Sequence, residues 1–247
     1  MRMTCMKGHM KSGFALLLLA ACTLLTGSLH AQSSLFSPSQ IIAHYKIHKS
    51  GILIGTVEER FSRDGDSYRL VSETRTAGAL KWLLDDQVTL SSEGKIGPKG
   101  LQPERYELKR HNDPTKNVSA TFEQDKGRIV SNHHNRTESF ALPPGTLDRI
   151  SAMYQFVFVP PLASEVAFWM SQGKEAEQYF YRRQGEPVIK VGDITYPTVY
   201  YARETAKGRP QAQLWLAKNL HYMAVRIIFE DSHGLSLEQT LVDLQIQ

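Results

Sequence analysis

Asp148 and Ser151, three residues apart in Leu147-Asp148-Arg149-Ile150-Ser151, are the polar side chains best spaced to act together. An acid and a hydroxyl at that separation could serve catalysis, but at the start of a helix the same spacing caps free amides, and capping is the preferred reading. The neighbouring pair His133-His134 points to opposite faces of an extended chain, so the two rings cannot jointly hold one metal. Asp85-Asp86 and Glu58-Glu59 fail as paired acids for the same reason. No G-x-S-x-G elbow, phosphate-binding loop or H-E-x-x-H helix occurs. Both cysteines, Cys5 and Cys22, precede the first charged acid, Glu58. These residues support no catalytic assignment, no cofactor and no metal site, and a non-enzymatic protein is expected.

Apolar side chains offer more. The stretch Leu142–Pro161 contains Leu147, Ile150, Tyr154, Val157 and Phe158, whose spacings place them on one face of a helix. Asp148 or Thr146 is available to cap it, and the proline pairs Pro143-Pro144 and Pro160-Pro161 bound it. Ile150, Tyr154 and Phe158 are the expected wall of an apolar ligand site. A second candidate is the interruption Thr76–Asp86, where Leu80, Trp82 and Leu83 break the strand pattern. This segment either closes one end of the core or forms a partly exposed tip that touches a membrane or lies at the mouth of the site.

These residues need a scaffold, and the rest of the chain reads as strands. Ile41–His48 alternates, with Ala43, Tyr45 and Ile47 on one side; after Ser50-Gly51, Ile52–Phe61 places Leu53, Val57 and Phe61 on one face. Asp64-Gly65 marks a hairpin turn, and strands follow at Tyr68–Thr74, Gln87–Glu93, Glu104–Arg110, Val118–Gln124 and Arg128–Ser131. Beyond the helix, Leu162–Gln172 allows a second short helix. Strands resume at Glu177–Arg183, Val188–Val191, Thr198–Arg203, Ala212–Leu216 and Val225–Glu230. The apolar parity of Leu235–Ile246 changes between Leu237 and Leu244, which predicts a bulge. The expected fold is mainly β: one strongly curved antiparallel sheet, a half-barrel or open barrel, around one central amphipathic helix.

The N-terminus has the pattern of an export signal: Arg2, Lys7 and Lys11, then the apolar run Phe14–Leu25, then the small residues Gly27, Ser28 and Ala31. Cleavage after Ala31 gives a periplasmic protein of a Gram-negative bacterium, organised as a signal peptide 1–31, a linker 32–40 and a domain 41–247. The alternative uses Leu19-Ala20-Ala21-Cys22 as a lipidation box, with acylated Cys22 anchoring the protein in the outer membrane. Without residues 1–31 the chain keeps 26 Lys and Arg (29 less three) against 25 Asp and Glu. That balance, with no basic block, removes the electrostatic footprint of a nucleic-acid binder.

Several short motifs follow one another along the chain: Tyr45 before Gly51 and Gly55, Leu101-Gln102-Pro103 before Tyr106, and the box Leu147-Asp148-Arg149-Ile150-Ser151. The closing strands Val191-Gly192-Asp193 to Tyr200, Leu214-Trp215-Leu216-Ala217 and Tyr222-Met223-Ala224-Val225-Arg226 complete the set. In this order they resemble the bacterial exported family DUF3108. Ala224 departs from the family's usual proline. The family carries no established activity, but its strand pattern is similar to the half-barrels of periplasmic lipoprotein carriers. The resemblance implies an envelope protein holding a lipid or other apolar ligand, with a structural or interaction factor whose core is filled by its own helix as the alternative.

Overall fold

The computed structural model describes residues 36–78, 86–203 and 211–247. Leu80, Trp82, Leu83, Cys22 and the 1–31 leader lie outside the described residues. The N-terminal half is a meander of eight strands: β1 (Gln40–Lys49), β2 (Ile52–Asp64), β3 (Ser67–Thr76), β4 (Gln87–Gly97), β5 (Gly100–Arg110), β6 (Val118–Glu123), β7 (Arg128–His133) and β8 (Arg136–Ala141). A connection follows, made of the two-residue strand β9 (Leu147–Asp148) and helix α1 (Ser151–Phe158). The C-terminal half then runs through β10 (Glu165–Ser171), β11 (Glu177–Gly185), β12 (Val188–Val191), β13 (Ile194–Arg203), β14 (Gln211–Ala217), β15 (Met223–Glu230) and β16 (Ser236–Ile246).

One sheet holds all sixteen strands, in the order β8-β7-β6-β5-β4-β3-β2-β1-β16-β15-β14-β13-β11-β10-β9, with β12 folded onto β13. The first and last strands join the two halves at its centre, Ile41 opposite Ile246 and Tyr45 opposite Leu241. All pairings are antiparallel except β9 with β10. Laid flat, the fifteen strands of the main path would hold β8 and β9 about 65–70 Å apart. The six steps from Ala141 to Leu147 span about 20 Å at full stretch. The sheet must therefore curl until its ends approach, and it remains unclosed because β8 and β9 do not pair. Bulges assist the curl. One falls at Val242, opposite the step from His44 to Tyr45, inside the stretch where the sequence parity predicts it; another falls at Val225.

The ends meet by packing. Ser131 Oγ of β7 donates to the Gly173 carbonyl just beyond β10. Gly173 has φ +81°, and a side chain there would strike Val118 Cγ1 at 2.4 Å, so this crossing needs glycine on two counts. Turn chemistry accounts for the hairpins. Ser50-Gly51 and His134-Asn135 both adopt positive φ, the conformation that two-residue hairpin turns require. The turn expected at Asp64-Gly65 sits one residue later, at Gly65-Asp66, because Asp64 still pairs with Ser67.

Two helical expectations change. α1 is eight residues long, since Leu147–Asp148 extends to pair with β10 before the helix begins. The stretch read as a second short helix is the strand β10, Glu165–Ser171, paired along its length with β11. Its apolar content gave no clean alternation: Phe168 and Trp169 are both half-buried, because the strand lies near the sheet's end and its last residues, Trp169–Ser171, are covered on both faces. α1 itself lies wholly inside the curl. Ala152, Tyr154, Phe156 and Val157 are all buried, so the buried surface of the helix is wider than the stripe read from sequence, with Met153, Gln155 and Phe158 half-buried. Gln155 fastens it: Nε2 donates to the Lys99 carbonyl at 2.7 Å and Oε1 accepts from the Leu101 amide at 2.8 Å.

Candidate functional site

Strand register determines what faces the interior. Along β2, Val57, Glu59 and Phe61 share the inner face. Their cross-strand partners are Tyr45, Ala43 and Ile41 on β1, and Thr74, Ser72 and Leu70 on β3. Ser72 lies opposite Leu90, and Leu70 opposite Ser92, on β4. Successive inward rows therefore run from a level rich in apolar contacts, through Glu59 and Ser72, to Tyr45, Val57 and Thr74. α1 and β9 lie against these rows, and two buried carboxyls result.

Asp148 is fully buried and fully engaged. Its Oδ1 accepts from the amides of Ile150 at 3.0 Å and Ser151 at 2.9 Å, and Ser92 Oγ donates to Oδ2. Ser151 Oγ in turn accepts from the Asp148 amide at 2.9 Å, and the Tyr68 hydroxyl meets Ser92 Oγ at 2.8 Å. This is the capping role read from the sequence, extended into a network that ties the helix start to β3 and β4. Burial raises the Asp148 carboxyl to about 6, and the donors around it hold it from rising further.

Beside the network lies a cavity of about 370 Å³, within the range of small-molecule sites. Ile150, Met153 and Tyr154 of the helix segment form one wall, and Met170, Tyr181, Leu214, Met223 and Ile227 form the wall opposite. Its polar members divide by depth. Glu59, Tyr45, Tyr154 and Ser72 are buried, while Arg149, Gln172, Arg203 and Gln239 stand at more exposed positions. Arg203 lies over the Tyr179 ring, its guanidinium carbon 3.8 Å from the ring centre.

Glu59 is the residue the sequence reading passed over. Its relative exposure is 8 %. Burial pushes its carboxyl up to about 7, an effect partly offset by the hydroxyls of Tyr154 and Ser72. Burial likewise raises Tyr154 and Tyr45 well above the ordinary phenol range, with the Glu59 charge adding to both. Tyr45 is satisfied, donating to the Ala224 carbonyl at 3.2 Å. The Tyr154 hydroxyl stands close enough to Glu59 for each to act on the other, but it makes no hydrogen bond of good geometry. The dismissal of Glu58-Glu59 as a catalytic pair stands, since Glu58 points outward to Arg60 while Glu59 points inward. The missed signal was parity: Glu59 occupies the apolar face of its strand, between Val57 and Phe61.

Of the other sequence candidates, Ile150 and Tyr154 both line the cavity. Phe158 does not; it packs on Phe61, ring centres 5.2 Å apart, because one further turn carries it past the cavity into the solid part of the core. Thr74 and Arg203 line the cavity, Thr74 two residues before the end of β3 and Arg203 at the end of β13. His133 reaches Glu138, and no group of three or more metal-ligating side chains forms among the described residues.

Fold and cavity define a class: a curled, unclosed β-sheet that encloses a helix and keeps an apolar cavity beside it. The chain matches the family "Protein of unknown function (DUF3108)" over residues 43–241 and belongs to it. Among solved structures it is similar to the beta-barrel-like protein of domain of unknown function DUF1849 from Brucella abortus. That similarity has a TM-score of 0.55 at 12% identity, covering 86% of this chain and 99% of that one. No curated protein matches the chain.

Proposed function

We propose that this chain is a non-enzymatic protein of the bacterial envelope that holds a lipid or another apolar molecule inside its curved sheet. The observation that carries the reading is the cavity of about 370 Å³, walled by Ile150, Met153, Tyr154, Met170, Leu214 and Ile227, which the helix leaves unfilled. The cavity is a recess that opens past the exposed Arg149 and Gln172, with buried walls that are largely apolar, the usual form of a small-molecule site. Binding an apolar molecule explains it more economically than a structural role with a self-filled core. The periplasmic location rests on the leader pattern, Arg2, Lys7 and Lys11 ahead of Phe14–Leu25. Peripheral membrane contact through Leu80, Trp82 and Leu83 belongs to the same proposal, as a route by which a ligand leaves a bilayer.

The test is extraction. Purified protein treated with organic solvent is expected to release a stoichiometric apolar species detectable by mass spectrometry, and the stripped protein is expected to bind a fluorescent apolar probe. Recovery of no such species, together with no probe binding, overturns the reading in favour of an envelope scaffold.

A further inference from the structure

The fold by itself accommodates Glu59 poorly. A buried carboxyl is stable when paired with a cation or surrounded by donors. Among the described residues no Lys, Arg or His comes within ion-pair distance of Glu59. Arg149 and Arg203, which line the same cavity, stand at its more exposed positions, and Arg203 is engaged with the Tyr179 ring. The groups around Glu59 are neutral hydroxyls: Tyr45 from β1, Ser72 from β3 and Tyr154 from α1. Tyr45 is committed to the Ala224 carbonyl. Tyr154, only 1 % exposed and on the cavity wall, is an orphan. An acid met only by neutral hydroxyls and a hydroxyl with no completed hydrogen bond, both buried, thus stand together on the cavity wall, apart from the more exposed Arg149, Gln172, Arg203 and Gln239. Buried polar groups are almost always fully satisfied, and the described chain leaves the Tyr154 hydroxyl unpaired and Glu59 without a cation or a backbone amide.

On the ligand-binding reading above, we propose that the ligand is an apolar molecule ending in a hydrogen-bond-donating head, an alcohol or an amine, which seats against Glu59 and Tyr154. An alcohol donates to the Glu59 carboxyl, which has acceptor capacity beyond the hydroxyls around it, and accepts from the Tyr154 hydroxyl, so one group meets both. An ammonium supplies the cation that Glu59 lacks, beside tyrosine rings that favour a positive charge. A carboxylate head brings a second negative charge to a buried acid and is refused there. The competing arrangement places an acid head at Arg149 and Arg203, with its chain directed inward.

The experiment is displacement of N-phenylnaphthylamine from the stripped protein at pH 8 by decanol, decylamine and decanoate. Decanol and decylamine are expected to displace the probe at about tenfold lower concentration than decanoate, the factor expected for one hydrogen bond to a charged group. Glu59→Gln removes the repelling charge and should bring decanoate to within about twofold of decanol. Tyr154→Phe should weaken decanol about fivefold and leave decanoate unchanged, and it serves alone if Glu59→Gln does not fold. Decanoate binding as well as decanol in the parent, or a preference untouched by both variants, overturns the inference while the ligand-binding reading survives. Failure of the probe and of all three chains to bind overturns both.

Discussion

Asp148 and Glu59 are two acids buried to nearly the same degree in one molecule, and they differ in everything that touches them. Asp148 receives two backbone amides and the Ser92 hydroxyl, and sits where the chain changes from strand to helix. Glu59 receives no backbone amide, lies in mid-strand, and looks into a cavity. Burial raises both, to about 6 and about 7 respectively. The rise from the ordinary value is similar in the two, so neither burial nor the shift separates a structural acid from one available to a ligand. What separates them is the identity of the donors, backbone amides fixed by the local chain for Asp148 and only side-chain hydroxyls for Glu59.

The largest effect should come from emptying the satisfied site. Asp148→Ala strands the Ile150 and Ser151 amides in the interior and is expected to cost about 3–5 kcal/mol in urea unfolding, at about 1–3 kcal/mol per buried group left unsatisfied. A loss below about 1 kcal/mol would show that the network contributes little and would erase the contrast with Glu59.

Glu59→Gln should do the reverse. Because the folded state holds the Glu59 proton more tightly than the unfolded chain, this acid favours folding fully below about pH 4.5. That contribution is lost as pH rises to about 7 and is flat above it. At pH 8 the variant is therefore expected to be more stable than the parent by about 2–3 kcal/mol, with a flatter stability profile between pH 4.5 and 7. Asp148 adds a fall of the same sign between its ordinary 3.8 and about 6, and this remains in the variant. An unchanged profile would mean that Glu59 is hydrated in the cavity.

A smaller loss is expected for Ile150→Ala, about 2 kcal/mol, near the low end for buried aliphatic truncations because the side chain borders an existing cavity and not a filled core. The same variant should retain bound probe. A cost near 5 kcal/mol would mark Ile150 as ordinary packing and weaken the cavity reading. The smallest change belongs to Tyr154→Phe, which deletes a hydroxyl without a partner and should alter stability by less than about 0.5 kcal/mol. A clear loss of stability there would reveal a bond from Tyr154 to Glu59 in solution and bring the two acids closer in kind.

Much of the architecture was legible in the order of residues. Local rules act within a few residues: alternation selected the faces of Ile41–His48 and Ile52–Phe61, Gly51 and Gly65 marked two of the turns, and a parity change in Leu235–Ile246 announced the bulge at Val242. The cap at Asp148 was equally local, since a carboxyl reaches only the amides two and three residues ahead. The inward place of Glu59 is written in the same alternation, two residues from Val57 and from Phe61, although as one of an adjacent acid pair it carries no catalytic signal.

Tertiary structure decided the rest, because it depends on residues far apart in the chain. Pairing β1 with β16 and bridging β8 to β9 in five residues forces the sheet to curl, and no periodicity encodes that closure. The curl covers both faces of β10 only at its end, Trp169–Ser171, which blurs the alternation that would have identified it as a strand, and it buries more of α1 than one stripe, leaving Met153, Gln155 and Phe158 half-buried. It also separates residues adjacent on the helix, leaving Ile150 and Tyr154 on the cavity while Phe158 packs against Phe61. Whether a buried acid is satisfied is likewise a tertiary property: the amides that serve Asp148 are its own neighbours, whereas every group around Glu59 comes from another strand or from the helix.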